Sequence, residues 1–249
     1  MKQYKTSDVA KIIGIHVNTV RLYEELGLIA KPERRSNGYR VFTDLHIEQF
    51  KLARAALKVE VLQKGLRKKA LTIIKVAAAG KYEEASQLTE SYLRQVDIEK
   101  QHAEEAIDIT QQILSGSSLD EVKEITLTRK EAASYLQVTM DTLRNWELNG
   151  LIAVKRKQNG YRVYTTIDLQ RLKIIRSLRC ANYSLASILR MLQALSYDPT
   201  SNIREVIDTP DETDDIITAC DRLLSSLAEA KENAQYVAGQ IEKMKKMIN

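Results

Sequence analysis

Arginine, asparagine and tyrosine recur in this chain at matched spacings, and these side chains bind phosphates and base edges. The run VRLYEELGLIA at 20–30 returns as LRNWELNGLIA at 143–153. Each copy is followed by Asn-Gly-Tyr-Arg-Val-(Phe/Tyr)-Thr, at 37–43 and 159–165. Arginine forks onto guanine or phosphate, and a tyrosine hydroxyl can donate a hydrogen bond to phosphate. A period this long indicates two domains of one fold and not a stacked repeat array.

The charge follows the same division of the chain. The net charge is +9 for 1–75, −7 for 76–125, +8 for 126–197 and −5 for 198–249, within a total of +5. Basic domains favour a polyanionic partner, because neutralising phosphates releases condensed counterions. The alternative is that the acidic and basic faces of the protein pair with each other.

Local signals in the first repeat predict two short helices joined by a tight turn, which is a helix-turn-helix. Capping residues at 6–8 precede an apolar stretch, and Gly14 ends the first helix. Asn18 and Thr19 open a second helix that runs to about Leu26. Gly27 follows that helix, where a left-handed residue is usual.

The second repeat has the same signals in different residues. Thr128 and Glu131 have the Thr-x-x-Glu spacing of a capping box. Asp141 and Thr142 open the next helix, and Gly150 follows it. A second helix-turn-helix is therefore predicted.

Each helix-turn-helix is followed by a basic stretch, at 31–36 or 155–158, and then by Asn-Gly and a short strand. Asn-Gly favours a hairpin turn, so these segments predict a β-hairpin wing. Successive strand residues face opposite sides of a sheet. One side is therefore expected to pack while the other projects the guanidinium of Arg40 or Arg162.

The first repeat resembles the winged helix-turn-helix signature of the MerR family of bacterial transcription regulators, at 20–29 and 37–42. The second resembles it less closely, with Trp146 at the family's usual tyrosine position and Asn149 before the glycine. The resemblance covers roughly 4–55 and 127–180. It implies a mainly α fold with winged domains at 1–79 and 126–197, followed by long helical segments at 80–125 and 198–249 that pair as an antiparallel coiled coil.

The resemblance and the side-chain chemistry together select the residues expected to contact DNA. The second helix of each domain would enter the major groove, and the wing would lie on the backbone or in a narrow minor groove. The candidates in the first repeat are His16, Asn18, Thr19, Arg21, Tyr23, Arg35, Asn37, Tyr39 and Arg40. Those in the second are Asp141, Thr142, Arg144, Trp146, Lys157, Asn159, Tyr161 and Arg162.

Several candidates have competing structural roles. Tyr23 and Trp146 are as well suited to be core rings with a wet edge. Asp141 is favoured as an N-cap over a base-contacting residue. Arg40 and Arg162, in contrast, have little reason to recur unless they are exposed.

Long helices with coiled-coil spacing are predicted after both domains. In the last segment the apolar and small positions alternate spacings of four and three, which is an uninterrupted seam. The seam residues are Ile216, Cys220, Leu223, Leu227, Ala230, Ala234, Val237, Ile241, Met244 and Ile248. A looser stripe near 83–114, interrupted by Glu99 and Lys100, consists of Leu88, Tyr92, Val96, Ala103, Ile107 and Leu114. Helices of about 32 and 35 residues, or about 48 and 52 Å, would match end to end.

By resemblance, the protein binds double-stranded promoter DNA, contacts RNA polymerase, and bends and untwists an overlong promoter spacer. Family members form a two-headed clamp from two chains, whereas this duplicated chain is expected to act as a monomeric pseudo-dimer. A homodimer with four winged domains is the alternative assembly. The alternative function is an architectural or phage-type winged-helix protein that bends DNA, and a protein-binding adaptor is disfavoured by the repeated arginines.

Enzymatic, metal and membrane functions have little support. The chain contains no glycine-rich phosphate loop and no nucleophile motif, so no catalytic residue and no cofactor are expected. Three scattered histidines and two cysteines, Cys180 and Cys220, are too few for a zinc site. No apolar run approaches the roughly 18 residues of a membrane span, so a cytoplasmic location is expected. The sequence names no small-molecule effector.

Overall fold

The computed structural model describes residues 2–58, 65–115, 125–158, 160–210 and 220–248. These residues are mainly helical, with two small three-stranded sheets. The chain divides into two compact units, Met1–Ile98 with Ser226–Asn249, and Glu99–Ser225. The predicted mainly α fold with two winged helix-turn-helix domains is confirmed.

The first winged domain is built from the elements before Ala79. They are β1 (Gln3–Tyr4), α1 (Thr6–Ile13), α2 (Val17–Glu25), β2 (Glu33–Arg34), β3 (Arg40–Thr43), α3 (Asp44–Leu57) and α4 (Leu66–Ala78). The strands pair antiparallel in the order β1-β3-β2, and Arg34 lies opposite Arg40. The wing is therefore the β2-β3 hairpin, as predicted.

Local signals account for the helix ends in this domain. Gly14 ends α1 with φ +71°, and Gly27 follows α2 with φ +67°, as predicted for left-handed positions. Helix α2 begins at Val17, slightly earlier than predicted, because His16 Nδ1 accepts the N–H of Asn18 at 3.2 Å and caps the helix.

Aromatic rings from three elements form the core of the first domain. Tyr23 on α2 stacks on Phe50 of α3 with ring centroids 5.3 Å apart. Phe42 on β3 lies 6.3 Å from Phe50 and is fully buried. Buried aromatic pairs add to the stability that area burial provides, so these contacts hold the second helix and the wing strand on α3.

The second winged domain repeats this order. Its elements are β4 (Thr126–Leu127), α6 (Arg129–Tyr135), α7 (Met140–Leu148), β5 (Lys155–Arg156), β6 (Arg162–Thr165), α8 (Thr166–Cys180), α9 (Leu185–Tyr197) and α10 (Ile203–Asp208). The predicted capping box is confirmed, since Thr128 N–H donates to Glu131 Oε2 at 2.8 Å and Glu131 N–H donates to Thr128 Oγ1 at 3.4 Å. Gln137, with φ +51°, takes the left-handed position that Gly14 holds in the first domain.

Two long helices complete the fold, α5 (Tyr82–Leu114) and α11 (Leu223–Ile248). Lys245 binds Glu83 at 3.0 Å, and Lys231 binds Asp97 at 2.8 Å. Between these pairs, Ser86 Oγ donates to Glu242 at 3.4 Å. From one pair to the next, the residue number rises on α5 and falls on α11. The two helices therefore run antiparallel along this stretch of the first unit.

The predicted seam of α11 is largely buried, but the helix begins later than predicted. Positions from Leu223 to Met244 lie in the core, whereas Ile248 is exposed and Ile216 lies outside the described residues. Cys220 precedes the helix, in a turn where its carbonyl accepts the N–H of Ser184 at 3.1 Å. The helix therefore has 26 residues and not about 35.

The predicted end-to-end pairing of the long helices is also wrong. The C-terminal part of α5 belongs to the second unit, where Asn182 Nδ2 donates to Glu99 at 3.3 Å and Arg204 binds Glu104 at 3.0 Å. Glu99 does not interrupt the stripe but is buried within it, in heptad register with Tyr92. Its hydrogen bond to Asn182 makes this burial tolerable.

Candidate nucleic-acid interface

The N-terminal turn of α2 presents polar side chains to solvent. Asn18 and Arg21 are exposed, and Arg21 Nη1 lies 3.5 Å from Asn18 Oδ1. His16 is exposed but also caps the helix, while Thr19 is half-buried. Of the four predicted contacts on this turn, Asn18 and Arg21 are the most available for a base edge or phosphate.

The corresponding turn of α7 differs in its cap. Thr139 Oγ1 accepts the N–H of Thr142 at 3.0 Å, so Thr139 caps the helix and Asp141 does not. The favoured N-cap role for Asp141 is therefore wrong. Asp141 is exposed, and its carboxylate has no hydrogen-bond or ion-pair partner in the described parts of the chain. Arg144, one turn later, is exposed as well.

Both wings close in tight turns with exposed tyrosines next to them. In the first, Arg35 N–H donates to Tyr39 O at 2.9 Å, Asn37 Oδ1 accepts the N–H of Tyr39 at 3.3 Å, and Gly38 has φ +81°. In the second, Lys157 N–H donates to Tyr161 O at 2.8 Å. The predicted contact Asn159 lies outside the described residues.

The two wing arginines do not project into solvent, which corrects a prediction. Arg40 shares a strand face with the buried Phe42, and its guanidinium binds Glu24 of α2. Arg162 donates from Nε to Glu147 of α7 at 2.6 and 2.9 Å. Each arginine side chain is only about a fifth exposed, 20% for Arg40 and 23% for Arg162. The projecting side chains are Tyr39 and Tyr161, both 72% exposed.

The aromatic residue of each second helix is part of the core. Tyr23 is 8% exposed and stacks on Phe50, and Trp146 is 4% exposed. Of the two roles open from the sequence, the structure favours core packing for both rings. They hold the second helix against the domain behind it.

Comparison with known proteins agrees with this geometry. A family model described as "MerR family regulatory protein" matches residues 5–42, and one described as "MerR HTH family regulatory protein" matches 127–195. Both matched segments are therefore MerR-type helix-turn-helix domains, and the chain carries this domain twice. The first match runs from α1 into β3, and the second runs from α6 into α9.

Individual relatives match a single MerR-type domain. The "HTH-type transcriptional regulator CueR" of Escherichia coli O157:H7 is 47% identical over 53 residues, 21% of this chain and 39% of its own. The "HTH-type transcriptional regulator ZntR" of Escherichia coli K12 is 43% identical over 70 residues, 28% of this chain and 49% of its own. The chain therefore spans less than half the length of these relatives. No solved structure matches it significantly.

Sequence reasoning missed two acidic residues of the MerR-type domains. Glu24 and Glu147 each lie between two arginines, Arg34 and Arg40 in the first domain and Arg129 and Arg162 in the second. The available signal was their recurrence, since both copies of the repeat have glutamate at this position while Glu25 is replaced by Leu148.

The pKa values of His46 in the first winged domain and Glu131 in the second are both lowered. Burial lowers the pKa of His46, whose Nδ1 lies 3.1 Å from the N–H of Thr43 at the start of α3. Hydrogen bonds from the backbone and side chain of Thr128 lower the pKa of Glu131. Both groups serve helix N-termini that hold the domains together, so they position the interface without forming part of it.

The described residues contain no cluster of three or more histidine, cysteine, aspartate or glutamate side chains able to hold a metal ion. Cys180 is exposed and Cys220 is buried, and both are free thiols. Among the helices of these residues, none combines the length and apolarity that crossing a bilayer requires.

Proposed function

We propose that this protein is a DNA-binding transcription regulator whose two MerR-type domains bind two half-sites of one promoter duplex. The observation that carries the proposal is the duplicated surface within a single chain. Each domain exposes polar residues on the first turns of its second helix, Asn18 and Arg21 or Asp141 and Arg144, together with a wing. Both domains are also basic, which favours duplex DNA over other partners.

The single chain acts in this proposal as a pseudo-dimer. Support comes from the antiparallel contacts of α5 and α11 and from Lys243 of α11, which binds Glu48 of α3 at 3.0 Å. Helix α11 follows the second winged domain in sequence but covers the first, as a partner chain's helix would do. A homodimer with four winged domains is the competing assembly. Sedimentation equilibrium at micromolar concentration is expected to give the single-chain mass of 28.3 kDa.

Bending and untwisting of a promoter spacer, with RNA polymerase as the second partner, follow by family resemblance. Such distortion costs on the order of a few kcal/mol, which the phosphate contacts of both domains must supply. Both domains are therefore needed for distortion, whereas one is enough for weak binding. A circular-permutation bending assay on a selected site, followed by transcription with purified polymerase, tests this step.

The decisive experiment is selection of binding sites from a random duplex pool, followed by affinity measurements across salt concentrations. We expect a bipartite site and a log-log salt slope of about −0.9 for each phosphate contacted. An affinity for the selected site that does not change with salt would refute the DNA-binding proposal. Bending without any effect on transcription would favour an architectural DNA-bending protein instead.

A further inference from the structure

Glu24 connects the second helix of the first domain to both strands of its wing. Its side chain is 9% exposed and binds Arg40 on β3, and its Oε1 lies 3.6 Å from Nη2 of Arg34 on β2. Arg34 and Arg40 are directly paired across the wing hairpin. One carboxylate on α2 therefore contacts both strands at the same level of the ladder.

The second domain preserves the carboxylate but changes one partner. Both carboxylate oxygens of Glu147 on α7 accept from the Nε–H of Arg162 on β6, and Nη2 of Arg129 on α6 lies 3.8 Å from Glu147 Oε2. Arg156, the β5 residue that corresponds to Arg34, has no ion pair in the described part of the chain. The contact common to both domains is thus the one from glutamate to the arginine of the returning strand.

We propose that Glu24 and Glu147 are positioning residues that set the distance and angle between each wing and the helix that enters the major groove. This inference rests on the proposed DNA binding. Helix and wing must contact neighbouring parts of one duplex, so their separation has to match the groove spacing. Charge-assisted hydrogen bonds that are partly shielded from water are strong enough to hold that separation.

The proposal changes the role of the wing arginines. Arg40 and Arg162 are neutralised by a carboxylate, so they support the strand that carries Tyr39 or Tyr161 and do not add a phosphate contact of their own. A glutamate that only neutralised its arginine would have the opposite effect on DNA binding. Its removal would free an arginine for phosphate, tighten binding to any duplex and steepen the salt dependence.

The test compares Glu24→Ala with Glu25→Ala in the full-length protein. Glu25 is the adjacent residue on α2, is exposed and loses the same charge, so the comparison isolates the contact to the wing. We expect Glu24→Ala to bind the selected duplex about tenfold more weakly than Glu25→Ala, an effect comparable to the loss of one specific contact. The salt slopes of the two variants should agree, and hydroxyl-radical protection should disappear only under the first wing.

A second measurement does not depend on DNA. Hydrogen exchange of the Arg35 amide, which donates to Tyr39 O across the wing turn, should accelerate in Glu24→Ala, while that of Lys157 should not change. Glu147→Ala should give the reverse pattern. Melting temperatures close to wild type would show that the variants remain folded.

Two results would overturn the positioning role. The first is tighter binding by Glu24→Ala to selected and unrelated duplexes alike, with a steeper salt slope. The second is unchanged wing exchange together with an affinity equal to that of Glu25→Ala. If wild-type protein bound no duplex while the exchange pattern appeared as expected, the proposed function would fail and the structural coupling would stand.

Discussion

The two winged domains have the same backbone plan but hold it together with different side chains. The first stacks Tyr23 on Phe50, whereas the second buries Trp146 at the position of Tyr23 and Leu172 at the position of Phe50. The position that ends the first helix is Gly14 in one domain and Gln137 in the other. Fold geometry at these sites therefore tolerates exchange of the residues that produce it, provided that volume and backbone conformation are kept.

The solvent-facing residues of the second helices differ in a way that packing does not require. Asn18 in the first domain corresponds to Asp141 in the second, and both are exposed. Neither residue caps its helix, since His16 and Thr139 do so. Because no structural role demands the difference, the proposed DNA binding predicts that the two domains contact different half-sites.

The largest expected effect is a loss of stability in the first unit but not in the second. Leu227 is buried on α11 within the first unit, so Leu227→Asp should destabilise that unit by about 3 kcal/mol or more, because it buries an unpaired charge. Trp146, the only tryptophan, reports on the second unit. Circular dichroism should therefore show an early melting transition that tryptophan fluorescence does not. Ala228→Asp, at the next and exposed position, is the control, and a single shared transition would contradict the division.

The next effect concerns the exposed arginines. Arg21→Ala and Arg144→Ala should each weaken binding to the selected duplex by about 1–3 kcal/mol, and each should relax base preference only in its own half-site. Fluorescence anisotropy on duplexes with one half-site altered at a time measures this. Arg94→Ala on α5, outside both winged domains, is the charge-matched control. Loss of preference in both half-sites from one substitution would argue against one domain per half-site.

A smaller effect on specificity is expected at the position that differs between the domains. A carboxylate can accept from cytosine N4, whereas asparagine suits adenine, so the half-sites should differ at one or two base pairs. Asp141→Asn should make the second half-site more like the first, with a change of about 1 kcal/mol or slightly more at that base pair. Repeating the selection with this variant is the measurement. A symmetric consensus in both proteins would remove residue 141 from the base contacts.

The smallest effect is the pH dependence that Glu131 contributes to the stability of the second domain. Hydrogen bonds from Thr128 lower the pKa of Glu131, so its contribution to folding is complete above the pKa of an unfolded glutamate. The contribution is lost as the pH falls through the lower pKa of the folded state. Melting temperatures of wild type and Glu131→Gln should therefore differ at neutral pH and converge in acid. Thr128→Val should follow Glu131→Gln, and a constant difference across the acid range would contradict the linkage.

The sequence predicted the local geometry of this protein well. The capping box of α6, the left-handed glycines and the Asn-Gly turn of the first wing depend on residues within four positions of one another. The repeat itself predicted two domains of one fold. Such features follow from backbone hydrogen bonding and steric rules that act along the chain, and they are independent of what packs against them.

Only the tertiary structure decided which charged side chains are exposed and which are buried or paired within the protein. Strand alternation correctly placed Arg40 and Phe42 on one face, but that face packs inward, against a helix that carries Glu24. In the sequence, Glu99 interrupts an apolar stripe. In the structure it is buried and accepts a hydrogen bond from Asn182, which lies far along the chain. The ionic and polar partners of these side chains come from distant segments, so whether a charge is buried, paired or free depends on contacts that spacing along the sequence does not contain.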